Sequence, residues 1–284
     1  MQRCVYILPT TLEHTGITHK FNGRCLALKK RFSLRTCYMT HSRKQAFLQR
    51  LCSYIGFECR AFFFICITPN IYIRYNPKTF FMSLYLPLLS FFKNIVIEHN
   101  TIMDTELMFL QRNAEYTLHQ VTLFWFRLGS FKHIAVNNEL KSHLEAKGLR
   151  HVIYAQNGYV VPNTSHKNFD DDILAKLNAF QATHTHTAIF CGNGYPWHGF
   201  SRISAILEAH PHIGLLVVGP YTHVDNEHIF QLPFCNTEQL GYLIERCDFA
   251  ISTFHWELLN IHEGSPLKSR QYLCHGCPIL THYY

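Results

Sequence analysis

Apolar runs of four to eight residues alternate along this chain with longer stretches of mixed polarity, the spacing of strands joined by helices. Cys4–Leu8 reads as a first strand, followed by a loop holding Gly16 and a helical run over Lys20–Lys30. Phe62–Ile67 and Ile71–Arg74 are apolar and rich in β-branched or aromatic residues, and both read as strands. Phe80–Phe92 is an apolar helix, Asn94–Ile97 a strand, and residues 104–128 are helical. Ile134–Val136 is a strand, and Asn137–Gly148 a helix with asparagine at its start and glycine at its end. Val152–Tyr154 is another strand, with a turn at Asn157-Gly158.

The polar segment Pro162–Thr185, with Asp170-Asp171-Asp172 opening a helix, marks a boundary. The alternation then resumes. Thr187–Cys191, Gly214–Val218, Phe249–Ser252 and Pro278–Thr281 read as strands, with helices over 200–209 and 237–246 and one following Glu263. The expected class is α/β: two Rossmann-like domains, 1–161 and 162–284, each a parallel sheet with helices on both faces. No repeat of solenoid period interrupts them.

A chain of 284 residues suffices for two such domains. Hydrophobic residues at 48% and charged ones at 16% exclude a disordered chain. Eleven cysteines are irregularly spaced, and reduced thiols fit better than a disulfide framework. Cys274-x-x-Cys277 stands without a second pair, and His184-x-His186 without a third ligand, so neither predicts a metal site. Residues 1–135 hold 17 Lys+Arg against 6 Asp+Glu, whereas 136–284 hold 9 against 13. The basic first half suggests an anionic partner, with a phospholipid surface or lipid-phosphate acceptor favoured over nucleic acid. Phe80–Phe92 has Pro87 inside and is too short to span a bilayer, but flanking Lys78 and Lys93 would let it rest on one.

Candidate chemistry gathers near the end of the chain. Glu263-Gly264-Ser265-Pro266-Leu267-Lys268 leads into a helix ended by Gly276. A helix start offers unpaired N–H groups to a phosphate, and a carboxylate beside it accepts hydrogen bonds from sugar hydroxyls. Gly192-x-Gly194 lacks the third glycine of a dinucleotide fingerprint, and Trp197 would crowd the backbone there.

Four ordered stretches over roughly 135–284 resemble GT-B glycosyltransferases, most closely the retaining family 4 (group 1). They are Val136–Leu149 with Asn157-Gly158, Phe190–Gly199, Leu215–Gly219, and Thr237–Ser252 with Glu263–Pro278. The resemblance implies two sheets facing a cleft that closes to exclude water. It implies sugar transfer, of hexosyltransferase type and as in polysaccharide biosynthesis, from a nucleotide-diphosphate donor to a glycan or lipid-linked acceptor. Retention is expected, without a metal or a cofactor besides the donor. Glu263 would hold the sugar hydroxyls, and Lys268 would face the diphosphate. Gln271 stands where the family has a second glutamate, and would hydrogen-bond the ribose. Asn193 and His198 stand where the family often has Arg and Lys. Gly16, Gly264 and Ser265 would approach the donor, Phe234 would lie by the base, and His99 would touch the sugar from the first domain. Lys20 would add positive charge. The chain stops before the family's closing helix, so the second domain is expected to be incomplete. A non-catalytic sugar-nucleotide-binding remnant and a nucleotide-sugar 2-epimerase are the alternatives. The expected location is the cytoplasm, with peripheral contact at the inner face of a membrane.

Overall fold

The computed structural model of the chain describes residues 1–12, 15–40, 46–77, 79–160, 169–222 and 226–282. The chain divides into two compact units, Met1–Gln156 and Asn157–Tyr284. The boundary expected at 161/162 falls within 161–168, outside the described residues, as does Lys78.

The first unit runs β1 (Gln2–Leu8), α1 (Thr15–Lys29), β2 (Phe32–Tyr38), α2 (Phe47–Ile67), β3 (Asn70–Arg74), α3 (Phe80–Leu89) and β4 (Asn94–His99). It continues with α4 (Met103–Phe109), α5 (Asn113–Arg127), β5 (Lys132–Ala135), α6 (Asn138–Ala146) and β6 (Val152–Tyr154). Its sheet is wholly parallel, in the order β2-β1-β3-β4-β5-β6. Val5 through Leu8 are fully buried, as expected of a strand covered on both faces.

Three local expectations are corrected. Phe62–Ile67 is the last part of α2, not a strand. Phe57, Ala61 and Ile65 are buried at four-residue steps, so packing of one helix face decides the conformation of a run too short to declare its period. Gly16 lies in the first turn of α1 rather than in a loop. The helical stretch 104–128 is two helices, broken where Gln111 takes a positive φ of 54°. Strand β2 was not foreseen.

The second unit runs α7 (Asp171–Ala182), β7 (His186–Cys191), α8 (Phe200–Glu208), β8 (Ile213–Val218), β9 (Ile229–Leu232), α9 (Thr237–Glu245), β10 (Phe249–Ile251), α10 (Leu267–Cys274) and β11 (Ile279–Leu280). Its sheet is also parallel, ordered β11-β10-β7-β8-β9. The order reverses between β7 and β10, the position at whose carboxyl ends open α/β sheets receive ligands. Alternate residues of β7 and β8 feed two cores. Ile189 and Leu216 pack with Leu243 of α9 and Tyr272 of α10, while Phe190 and Val217 pack with Ile203 and Leu207 of α8. Asn236 and Gln239 form a reciprocal cap at the start of α9. The observed class is therefore α/β with two parallel, Rossmann-like sheets.

Candidate functional site

The carboxyl ends of β7 and β8 carry tightly apposed loops. Gly219 adopts a φ of 137°, and a side-chain carbon there would collide with the Gly192 carbonyl oxygen. Only glycine allows this approach. A carbon on Gly192 would strike the Tyr221 hydroxyl and the His198 ring. After Gly192 the chain passes through exposed Asn193 into a short 3-10 turn, Pro196–His198. Trp197 is buried in that turn, and Tyr195 stacks on it at 4.5 Å. Gly194, Tyr195, Pro196, Phe200, Pro220 and Tyr221 line part of a cavity of about 500 Å³ on the α8 side of these loops. Glu263 is not among its lining residues.

α10 begins beside the end of β7. Its N-cap is Pro266, whose own side chain has no polar group with which to cap the first turn. The positive end of the helix dipole at such a start suits an anion. Lys268, the second residue, donates from Nζ to the Cys191 carbonyl at 3.0 Å and lies 4.7 Å from the centre of the Phe190 ring. Burial pushes its pKa down from 10.5 to about 8. His198, whose Nδ1 is 3.4 Å from the Tyr221 hydroxyl, is pushed down to about 2, by burial first and then by the Lys268 charge. His198 is therefore a neutral hydrogen-bonding group at physiological pH. Tyr272 locks α10 to β7: its hydroxyl accepts from the Cys191 amide and donates to the Cys191 sulfur, both at 3.0 Å. Ser252 and Ser269 hydroxyls meet at 2.5 Å, fixing the helix to the end of β10.

The loop before α10 is braced from within the same unit. Asn157 is buried and donates from Nδ2 to the Ser265 carbonyl at 2.8 Å. The turn expected at Asn157-Gly158 is not formed. Glu263 and Gly264 are half-buried, and Ser265 is buried. Gln271 is 8% exposed, and its Nε2 has no hydrogen-bond partner among the described residues. A buried amide without a partner is uncommon and points to a missing acceptor. Phe234, in the loop after β9, is 55% exposed. Cys274 is exposed whereas Cys277 is buried, so the two thiols occupy different surroundings.

The first unit treats its expected site residues differently. Lys20 and Arg24 of α1 both pair with Glu98 of β4, Arg24 at 3.1 Å, and the Tyr72 hydroxyl donates to the same carboxylate. Lys20 also reaches Asn100. Burial would raise the Glu98 pKa, but the two cations and their hydrogen bonds outweigh it and hold it down at about 2. His99 is 2% exposed, with its Nε2 3.0 Å from Nδ1 of His133. Burial, reinforced by His133 and His119, holds the His99 ring well below the usual histidine range. The structure thus has Lys20 in an internal ion cluster and His99 in a buried histidine network. Gly16 is exposed on α1.

Pairs such as Lys268 with Cys191, or Tyr272 with Cys191, span roughly eighty residues of chain and involve backbone groups. Sequence spacing carries no signal for them. Tyr221 was findable in principle, since it follows the Gly219-Pro220 break at the end of a strand.

No protein-family model matches the chain, and no curated protein matches it by sequence. Solved structures do. Anabaena HepE, in complex with UDP and glucose, matches with a TM-score of 0.61 at 13% identity, covering 99% of this chain and 80% of that one. Sucrose-phosphate synthase from Thermosynechococcus elongatus gives 0.64 at 11%, covering 99% and 81%. A putative UDP-N-acetylglucosamine 2-epimerase from Listeria monocytogenes gives 0.57 at 11%, covering 99% and 79%. At these identities the likeness establishes the fold, which is the two-Rossmann-domain GT-B fold.

Proposed function

We propose that the chain is a glycosyltransferase that moves a sugar from a nucleotide-diphosphate donor to a glycan or lipid-linked acceptor met at an anionic membrane surface. The observation that carries this reading is the start of α10 at Pro266, with Lys268 in its first turn, at the reversal point of the second sheet. The neighbouring structures support it in kind, since HepE was solved with UDP-glucose. In this reading the diphosphate takes the α10 amides, and Lys268 leaves the Cys191 carbonyl to meet the departing charge. Glu263 accepts from the sugar hydroxyls, and the unpaired Gln271 amide serves the ribose. Gly264, Ser265, Asn193 and neutral His198 supply hydrogen-bonding groups, and Phe234 lies by the base. The acceptor hydroxyl attacks on the leaving-group face, a phosphate oxygen takes its proton, and the sugar keeps its configuration. His99 has no part in this reading because its ring is enclosed.

Calorimetry with UDP-, GDP- and ADP-sugars, coupled to a transfer assay, tests the reading. Binding of one donor class with transfer supports it. Binding without transfer identifies a sugar-nucleotide-binding protein, and absence of all binding rejects the site. The presence of UDP-N-acetylglucosamine 2-epimerases among the structures of this fold motivates a second reading. It is distinguished by conversion of the nucleotide-sugar to its epimer with no acceptor present.

A further inference from the structure

The first unit carries a surface that the donor site does not use. α2 turns Phe57, Ala61 and Ile65 inward. Its opposite face presents Leu48, Ile55, Phe62 and Phe63, each between 48% and 70% exposed. Their spacing puts them on one side of the helix. Beside it, α3 presents Phe81, Leu84 and Leu88 at i, i+3 and i+7, with Leu88 68% exposed. The two helices adjoin, since Phe62 meets Tyr85 edge-on at 5.1 Å. Phe91 and Phe92 follow at 63% and 79% exposed. Single exposed apolar residues are ordinary, but a contiguous aromatic face is not.

Charge decides what fits it. Between Phe47 and Lys93 the sole acidic residue is Glu58, which is buried and hydrogen-bonded by Tyr54 at 3.1 Å. Arg50 and Arg60 are exposed, and Lys93 donates to the Cys66 carbonyl at the end of α2. A second copy of the chain would bring these cations against their own kind, with no exposed carboxylate in the segment to offset them. An anionic headgroup layer over an apolar interior matches both features. α2 itself is interrupted by Arg50, Glu58 and Arg60, and no helix among the described residues is long and apolar enough to cross a membrane.

We infer that the α2–α3 face docks on an anionic phospholipid bilayer, its aromatic and leucine side chains entering the acyl boundary and Arg60, at the flank of that face, meeting the headgroups. This names the surface for the membrane contact in the proposed function and rests on that contact, not on the transfer chemistry. The face carries its own reporters, because Cys52, Cys59 and Cys66 recur at seven-residue steps along α2 and all are exposed. Cys274, exposed in the second unit, serves as the reference thiol.

The test is flotation of the full chain with vesicles of phosphatidylcholine, alone or mixed with phosphatidylglycerol, while a membrane-impermeant maleimide labels the thiols. The chain should float with the mixed vesicles, and labelling of the three α2 thiols should slow while Cys274 keeps its rate. Phe63→Glu combined with Leu88→Glu should cut the bound fraction roughly tenfold by removing two buried apolar groups. Arg60→Gln should cut it about fivefold. Both variants alter exposed side chains and should keep the parent's thermal unfolding and nucleotide-sugar binding. Failure to float, undiminished binding by the double variant, or thiol protection that needs no vesicles and grows with protein concentration would each overturn the inference. Loss of donor binding with flotation intact would instead reject the transferase reading and leave the docking face standing.

Discussion

The two units share a parallel-sheet architecture but handle the cations beside their sheets in opposite ways. In the first, Lys20 and Arg24 are neutralised internally by Glu98, with Tyr72 completing the cluster. In the second, Lys268 meets a carbonyl dipole and an aromatic face in the first turn of α10, and the Gln271 amide has no hydrogen-bond partner among the described residues. A cation matched by a carboxylate is part of the protein's own charge balance. A cation held by dipoles can exchange them for an incoming anion at little loss. The contrast shows why one basic residue in a Rossmann-like unit is architecture and another is a candidate for function.

The contrast can be broken most severely at Glu98. Glu98→Gln leaves buried Lys20 and partly buried Arg24 without their counter-charge and should destabilise the chain by about 3 kcal/mol in urea unfolding. A change within about 0.5 kcal/mol would show the cluster to be solvated. Acid titration sharpens the point. The Glu98 carboxyl titrates near 2 in the fold against an ordinary 4.5, so its contribution is whole above pH 4.5 and is lost as pH falls through 2. That part of the acid transition should be missing from Glu98→Gln. At the second cation, Lys268→Ala should lower turnover at least about tenfold by removing a charge-assisted contact to the leaving group. Lys20→Ala should leave nucleotide affinity unchanged, and equal losses in the two alanine variants would erase the distinction drawn here.

Titration of Lys268 gives a smaller effect. Burial holds its pKa at about 8, and a bound diphosphate would raise it. Donor affinity should therefore weaken as pH climbs above 8, with proton uptake on binding visible in calorimetry across buffers of different ionisation heat. A flat profile would detach Lys268 from the phosphates. The mildest change is Glu263→Ala, which should weaken the nucleotide-sugar a few-fold, about 1 kcal/mol, and spare the free nucleotide. Equal weakening of both ligands would argue against a sugar contact.

Much of the second unit was readable along the chain. The runs at 187–191 and 214–218 are apolar and end at glycine, and the helix after Pro233 stands where it was expected. Helix α10 and its glycine stop also follow from local chemistry, with Gly276 at a φ of 72°. The first unit was harder to read. β2 alternates apolar residues with Ser33, Arg35 and Thr36 at a sheet edge, so its pattern is faint. Phe62–Ile67 looks like a strand because six residues cannot separate a period of two from one of 3.6. His99 drew attention as a histidine at a strand end, yet it is buried and its partner is His133, thirty-four residues away.

The amino-acid order alone determined the α/β class, most of the helix–strand alternation of the second unit, and that an acid, a helix start and a lysine follow one another near residue 263. These are local matters, fixed by dihedral preference and by the period of apolar side chains. Folding alone decided which cation meets a carboxylate and which meets a carbonyl, and which faces of α2 and α3 stay uncovered. Electrostatic pairing and burial depend on distance in space, and the sheet order that sets those distances joins residues far apart in the chain.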